Sequence, residues 1–192
     1  MANILVITDS ANFILEKVFH NFEQDNQYYI HSINTSTESI LHAIHNHRQY
    51  KNIQISAIDN IELNQLAENE AREYYLKLIR DLPDKKLFNN KSFTDLLTKN
   101  NRNYWWYLPI SEKNIWTDST IHRLYEIKRL KHILNNNDYV KIYSCIDDSI
   151  LQDSFTQMAS IKRIPFIKNI ANNKNKKRRF VLLLFCITYY IN

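Results

Sequence analysis

Short apolar runs alternate with helical patterns in the first third of the chain. The run Ile4–Ile7 ends at Thr8-Asp9-Ser10 and is followed by apolar residues at helical spacing from Phe13 to Phe22. Residues 27–33 and 53–58 predict two further strands, and Thr35-x-x-Glu38 predicts a capped helix between them. This β-α-β-α-β order predicts a parallel sheet with helices on both faces, joined by right-handed crossovers.

The second half of the chain continues the alternation, with more helix. Residues 62–82 predict a long helix ended by Pro83, and residues 93–97 a short one. A helix capped at 117–119 and stopped at 135–137 follows, with a predicted exposed face of four basic residues: Arg123, Lys128, Arg129 and Lys131. Strands are predicted at 139–146 and 164–167, with a helix capped by Asp147-Asp148-Ser149 between them.

We therefore predict an α/β fold, a Rossmann-like three-layer α/β/α domain with a mostly parallel sheet, over residues 1–170. Residues 171–179 form a basic linker and residues 180–192 an apolar tail.

The absence of glycine from all 192 residues excludes several nucleotide and nucleophile motifs. Average usage would give about thirteen glycines. The dinucleotide turn, the Walker A loop and the nucleophile elbow all require glycine for positive φ or close backbone approach, so none of them is present. Turns must use asparagine or aspartate instead, which tolerate the left-handed region, and Asn89-Asn90, Asn100-Asn101 and Asn135-Asn136-Asn137 are candidates.

The net charge of +5 comes from one short segment. Residues 174–179 hold five basic residues in six positions: Lys174, Lys176, Lys177, Arg178 and Arg179. Without them the remaining 20 basic residues balance the 20 acidic ones, so the body of the chain lacks the basic excess of a nucleic-acid-binding protein. The basic segment favours either a solvated tail or a peripheral contact with an anionic membrane.

The apolar tail leaves three interpretations open. Its run from Phe180 to Ile191 is shorter than the roughly 20 residues that a membrane-spanning helix needs. It can lie at a membrane surface, form a terminal core strand, or be non-native sequence from a shifted reading frame. The N-terminus does not resemble a signal peptide, and Cys145 and Cys186 form no metal or redox motif. We expect a cytoplasmic protein with free thiols, either in solution or at the inner face of the membrane.

Aromatic residues are concentrated in one fourteen-residue segment, 103–116, which holds all three tryptophans: Trp105, Trp106 and Trp116. Beside Glu112 and Lys113, these rings can build a pocket with an apolar wall and a charged end, although a packed aromatic corner explains them as well. In a partly desolvated loop, Glu112 is a candidate general base for a sugar hydroxyl, and Lys113 can offset phosphate charge. An ordinary ion pair between Glu112 and Lys113 is the alternative.

The same segment carries a family resemblance. Trp105-Trp106, followed by Ser111-Glu112-Lys113-Asn114 and a helix opening at Asp118-Ser119, resembles the signature of a bacterial surface-carbohydrate biosynthesis family. The resemblance covers roughly residues 100–135 and, more loosely, the first strand and helix. It implies a two-lobed, GT-B-like glycosyltransferase architecture, of which this chain is an N-terminal, acceptor-side lobe. Members of that family are longer, so the resemblance also implies a truncated lobe that is inactive alone.

A second candidate site lies after the first predicted strand. In open parallel sheets, ligands bind at the carboxyl ends of strands where the connections diverge. Asp9 and Ser10 occupy such an end, where a helix N-terminus can hold an anion, although simple helix capping also explains them. Asp147 and Asp148 take the equivalent place after the fourth strand, with the same alternative.

No metal site is predicted, because His42, His45 and His47 lack further ligands. No cofactor is predicted either, and the expected partner is a sugar or glycolipid substrate.

Two functions follow from these patterns. The first is a glycosyltransferase-like lobe in surface polysaccharide biosynthesis, with Glu112 catalytic and Asp9, Ser10, Trp105, Trp106, Lys113 and Trp116 binding substrate. The second is a non-catalytic Rossmann-like interaction module, with the tryptophans as interface anchors and the basic-apolar tail docking on a membrane.

Overall fold

A computed structural model describes residues 2–10, 25–33, 35–46, 53–58, 60–105 and 119–168. Its described residues divide into two compact units. The first, the sheet unit, combines the chain up to Asn60 with the chain from Ile133 onward. The second, the helical unit, is Ile61–His132.

The sheet unit is built on a five-stranded parallel sheet. Its strands are β1 (Asn3–Thr8), β2 (Gln27–Ser32), β3 (Gln54–Ala57), β8 (Lys141–Cys145) and β9 (Phe166–Lys168). They lie in the order β3-β2-β1-β8-β9, and every neighbouring pair is parallel. Helix α1 (Thr37–His45) connects β2 to β3, and α5 (Ser149–Ile161) connects β8 to β9. The predicted Rossmann-like three-layer α/β fold is confirmed.

The core of the sheet unit follows the apolar runs of the sequence. Buried side chains of β1, β2 and β8 pack against Ile40 and Ile44 of α1. These strand residues occupy alternate positions and therefore share one face of the sheet: Ile4, Val6, Tyr28, Ile30, Tyr143 and Cys145. Strands buried on both faces give continuous apolar runs, which is why Ile4–Ile7 was recognisable as a central strand. Cys145 is buried in this core.

The helical unit contains the long helix α2 (Ile61–Asp81), the short helix α3 (Phe93–Leu97) and most of α4 (Ser119–Asn136). Its core joins Ala71, Tyr75 and Ile79 of α2 to Ile121 and Leu124 of α4. The bounds of all three helices agree with the sequence prediction to within about two residues, as assignments at helix ends generally do.

Two small hairpins of the helical unit confirm the predicted role of asparagine at two of the three joints. At the third the prediction is wrong, because Asn135 and Asn136 end α4 and no residue of 135–137 has positive φ. β4 (Lys86–Phe88) pairs with β5 (Lys91–Ser92), and β6 (Thr98–Lys99) pairs with β7 (Arg102–Asn103), both antiparallel. The intervening residues Asn89, Asn90, Asn100 and Asn101 have φ of 48°, 63°, 52° and 59°. Two consecutive positive-φ residues are characteristic of the tight turns that suit hairpins, and asparagine supplies them here in place of glycine.

The predicted exposed basic face of α4 is partly wrong. Only Lys131 is exposed; Arg123 and Lys128 are half-buried, and Arg129 is buried together with Glu126. Lys128 is held by Glu70 of α2, with 3.2 Å between Nζ and Oε2, and lies 5.8 Å from the centre of the Tyr74 ring. Long-range partners therefore drew charged side chains out of solvent, which local periodicity does not predict.

Among the described helices, none combines the length and apolarity needed to cross a bilayer. The basic and apolar tail segments, which carry the predicted membrane contact, lie outside the described residues.

Candidate functional site

The strand order places a topological switch point between β1 and β8. After β1, the chain adds β2 and then β3 on one side of β1 in the sheet. After β8, it adds β9 on the opposite side of the β1–β8 pair. The two central strands are paired in register up to Thr8 and Cys145. Connections that leave in opposite directions open a gap at the carboxyl ends of the strands, which is where open α/β sheets bind ligands. We call this gap the switch-point crevice.

Asp9 lies at this crevice and joins its two sides. The Asp9 carboxylate accepts a hydrogen bond from the backbone N–H of Asp147, with 2.9 Å between Oδ2 and N. Burial raises the pKa of the half-buried Asp9 carboxyl above its ordinary value, and the nearby charge of Asp147 adds to the effect. The Asp147 N–H bond opposes this shift without cancelling it. Asp9 and Asp147 follow the first and fourth predicted strands, as expected, and the structure adds that these two strands are neighbours.

The backbone around Asp9 is fixed by two threonines. Thr8 Oγ1 donates to the carbonyl of Ser10 at 2.8 Å and accepts from the Ser10 N–H at 3.2 Å. Thr35 Oγ1 donates to the carbonyl of Asp9 at 2.7 Å. Ser10 is half-buried, and its hydroxyl makes no hydrogen bond within the part of the chain that the structure describes. The crevice thus presents a positioned carboxylate and an available hydroxyl.

Thr35 is a site residue that the sequence prediction assigned to another role. The predicted capping box at Thr35-x-x-Glu38 is wrong: α1 begins at Thr37, its N-cap is Ser36, and Ser36 forms no side-chain capping bond. Thr35 instead reaches Asp9, while Ser32 Oγ donates to the Thr35 carbonyl at 2.7 Å. One signal was available, since Thr35 follows β2, whose carboxyl end lies beside that of β1 in a parallel sheet.

Asp147 and Asp148 have different environments although they are adjacent. Asp148 is the N-cap of α5, and its Oδ1 accepts from the N–H groups of Ile150 and Leu151 at 2.9 and 3.2 Å. Asp147 is exposed, and its backbone N–H is the group that contacts Asp9. The capping alternative is therefore right for Asp148, whereas Asp147 belongs to the crevice.

The described residues at the crevice include two carboxylates and no basic partner for them. Neither Asp9 nor Asp147 forms an ion pair with a described lysine, arginine or histidine. A phosphate placed beside Asp9 would meet two uncompensated carboxylates, whereas a hydroxyl group would donate a charge-assisted hydrogen bond to one of them. The residues from 11 to 24, on which the anion site expected at Asp9 depends, lie outside the described residues, so that site stays a prediction.

Within the described ranges, no group of three or more His, Cys, Asp or Glu side chains is placed to hold a metal ion. His42 and His45 lie on the exposed side of α1, and His42 contacts Asn46. His132 bonds Glu70 in the helical unit, with 3.1 Å between Nε2 and Oε1.

The one described tryptophan, Trp105, is buried in the helical unit at 1% exposure. Its backbone N–H donates to Asn103 Oδ1 at 2.8 Å, and its ring lies 5.8 Å from that of Phe93. Trp105 also lines a cavity of about 410 Å³. Trp106, Glu112, Lys113 and Trp116 lie outside the described residues, so their roles stay predictions.

Comparisons of the chain with protein-family models, with curated proteins and with solved structures found no match. The resemblance to surface-carbohydrate biosynthesis proteins therefore stays an expectation from the tryptophan-rich segment. The geometry of the crevice has to carry the functional interpretation.

Proposed function

We propose that this chain is a glycosyltransferase-like lobe of surface polysaccharide biosynthesis that binds a saccharide acceptor in the switch-point crevice. The observation that carries the proposal is the half-buried Asp9 carboxylate, joined to Asp147 between the two central strands and without a cationic partner among the described side chains. An uncompensated carboxylate at a ligand-binding edge attracts groups that donate hydrogen bonds, and sugars present several such hydroxyls.

The acidic crevice supports the acceptor side of the reaction over the donor side. A nucleotide-sugar donor carries a pyrophosphate, which the carboxylates of Asp9 and Asp147 would repel. The chain also lacks the glycines with which phosphate-binding turns approach their ligand. In this proposal, Asp9 and Ser10 orient an acceptor hydroxyl. The role of general base remains a prediction from the sequence for Glu112.

Ligand-observed NMR on the purified chain tests the acceptor site directly. Methyl glycosides of glucose, galactose and N-acetylglucosamine are the neutral probes, and UDP-glucose is the anionic one. We expect at least one glycoside to bind, and Asp9→Asn to weaken it by about tenfold because a charge-assisted hydrogen bond is lost. Asn retains an oxygen for the Asp147 N–H, so the crevice keeps its shape.

Asp138→Asn is the matched control, because Asp138 is an exposed carboxylate of the same unit with no role in the crevice. It should leave glycoside binding unchanged. The proposal fails if UDP-glucose binds in preference to every glycoside, or if Asp9→Asn and Asp138→Asn behave alike. Transfer of sugar from a nucleotide donor by the purified chain alone would contradict its acceptor-side role.

A further inference from the structure

A cavity of about 410 Å³ lies in the helical unit and is not used by the proposed crevice. This volume falls in the range of roughly 300–1,000 Å³ that is typical of small-molecule pockets. Leu76 and Ile79 of α2, Pro83 and Trp105 form its apolar lining. Leu76 lines the cavity and is 44% exposed, so it lies at the open side of the cavity.

The polar lining offers both an acceptor and donors. Asp84 is exposed, and its carboxylate makes no hydrogen bond or ion pair with any residue in the described ranges. Asn103 accepts the Trp105 N–H through Oδ1, which leaves its amide N–H groups as donors. Arg80 binds Asp81 through Nε at 2.9 Å, which leaves its terminal amino groups.

Part of the lining is also held rigid. Thr94 lies at the first turn of α3, and its hydroxyl donates to the Pro83 carbonyl at 2.9 Å, while its N–H donates to the same carbonyl at 3.0 Å. Helix α3 is itself capped reciprocally by Ser92 and Asp95. These bonds fix the turn that carries Asp84 relative to α3, and a fixed lining lowers the ordering cost of binding.

The mixture of groups discriminates among ligand classes. A purely apolar ligand would desolvate Asp84 without giving it a partner. Because the lining holds one cation, Arg80, and one anion, Asp84, a phosphate or an amine would be attracted by one of them and repelled by the other. A neutral polyol meets neither penalty, because its hydroxyls can donate to Asp84 and accept from Asn103 while its C–H face packs on Leu76 and Pro83.

We propose that this cavity is a saccharide-binding pocket of the helical unit, in which Asp84 accepts and Asn103 donates hydrogen bonds to the hydroxyls of one sugar ring. The choice of a sugar among neutral polyols rests on the proposed function. The pocket itself rests on the cavity and its lining, and it adds a second saccharide site to the one at Asp9.

Two substitutions test the pocket in complementary ways. Asp84→Ala removes the acceptor at an exposed turn position, and Leu76→Trp fills the mouth of the cavity from an exposed helix position. We expect both to weaken glycoside binding at this pocket by about tenfold or more, and therefore to remove the pocket's share of the saturation-transfer NMR signal of the full chain. Asp138→Ala removes an exposed carboxylate from the other unit and should change nothing. Thermal melts of each variant establish that it is folded.

Benzylamine, inorganic phosphate and glycerol are the competing probes. The pocket is refuted if no glycoside binds, or if both variants bind glycosides like the parent chain. It is also refuted if benzylamine or phosphate binds to the parent chain and this binding is lost in Leu76→Trp. Binding of glycerol equal to that of the glycosides would refute a sugar-ring site.

Asp9→Asn in the same assay separates this pocket from the crevice. Binding weakened by Asp84→Ala and Leu76→Trp alone supports the pocket and contradicts the crevice. Binding weakened by Asp9→Asn alone does the reverse. Partial loss in each case supports two sites, and the saturation pattern on the glycoside protons should then differ between the single variants.

Discussion

The sheet unit and the helical unit each hold a partly buried carboxylate, and the two are treated in opposite ways. Burial alone would raise the pKa of Glu70 in the helical unit, but the hydrogen bond and charge of Lys128, with His132, lower it. Burial raises the pKa of Asp9 in the sheet unit, and its charged neighbour is another carboxylate, Asp147. Glu70 therefore has cationic partners within its fold, while Asp9 has none among the described side chains.

This contrast separates a structural carboxylate from a functional candidate. Structural ion pairs stabilise the state in which they form, whereas binding and catalytic sites commonly hold groups whose environment is unfavourable until a ligand arrives. Four stability measurements can break or sharpen the contrast, and all use chemical or thermal unfolding of the purified chain.

Lys128→Ala should have the largest effect, a loss of about 2 kcal/mol in the free energy of unfolding. The substitution removes the bridge to Glu70, the cation–π contact with Tyr74 and the packing of a mostly buried aliphatic stem. Urea denaturation at pH 7 measures it. Lys131→Ala, at the exposed position three residues along the same helix, should stay within about 0.5 kcal/mol. Equal losses of stability in Lys128→Ala and Lys131→Ala would contradict a structural role for the Lys128–Glu70 ion pair.

Asp148→Ala should cost about 1 kcal/mol, because two N–H groups at the start of α5 lose their acceptor. Ser36→Ala at the N-cap of α1 should cost almost nothing, since Ser36 forms no capping bond. Urea midpoints of the two variants give the comparison. A cost for Ser36→Ala as large as that for Asp148→Ala would contradict the assignment of both caps.

Glu70→Gln should cost about 0.5 kcal/mol at pH 7, in keeping with a partly exposed ion pair. The pKa of Glu70 is lower in the folded chain than its ordinary value of 4.5. Its stabilising contribution is therefore present above that value and disappears as the pH falls through the lower folded pKa. Asp81→Asn, in the exposed pair with Arg80, is the control and should have a smaller effect at every pH.

Asp9→Asn should act in the opposite direction and be the smallest of the four. Because the folded-state pKa of Asp9 is raised, ionisation of Asp9 lowers stability as the pH rises from its ordinary value of 3.8 through the raised folded value. The variant should melt slightly above the parent chain at pH 7, and the difference should vanish below about pH 3.8. A variant that melts lower at pH 7 would make Asp9 a structural carboxylate like Glu70.

The sheet was largely predictable from the sequence because its determinants are local. Apolar runs such as Ile4–Ile7 fix the strands, and their order with the intervening helices fixes the parallel topology. Paired asparagines fixed both hairpin turns, since few other residues tolerate positive φ. The placement of Asp9 and Asp147 at one edge followed from the same topology.

The features that local pattern missed depend on partners far along the chain. Arg129 and Lys128 leave solvent because of packing and of Glu70, 58 positions before Lys128. Thr35 bonds the carbonyl of Asp9 across two strands instead of capping its own helix. The cavity at Asp84 needs α2, α3 and the second hairpin together, and no short segment encodes it.

Backbone amide NMR during a titration with methyl glycosides tests the central claim, that the switch-point crevice binds a saccharide. The account predicts chemical-shift changes for the amides of Asp9, Ser10, Asp147 and Asp148, and their loss in Asp9→Asn. Changes at Asp84 and Asn103 would add the second pocket without affecting this result. Saturating binding with no shift at Asp9 or Asp147, or no binding by any glycoside, would contradict it.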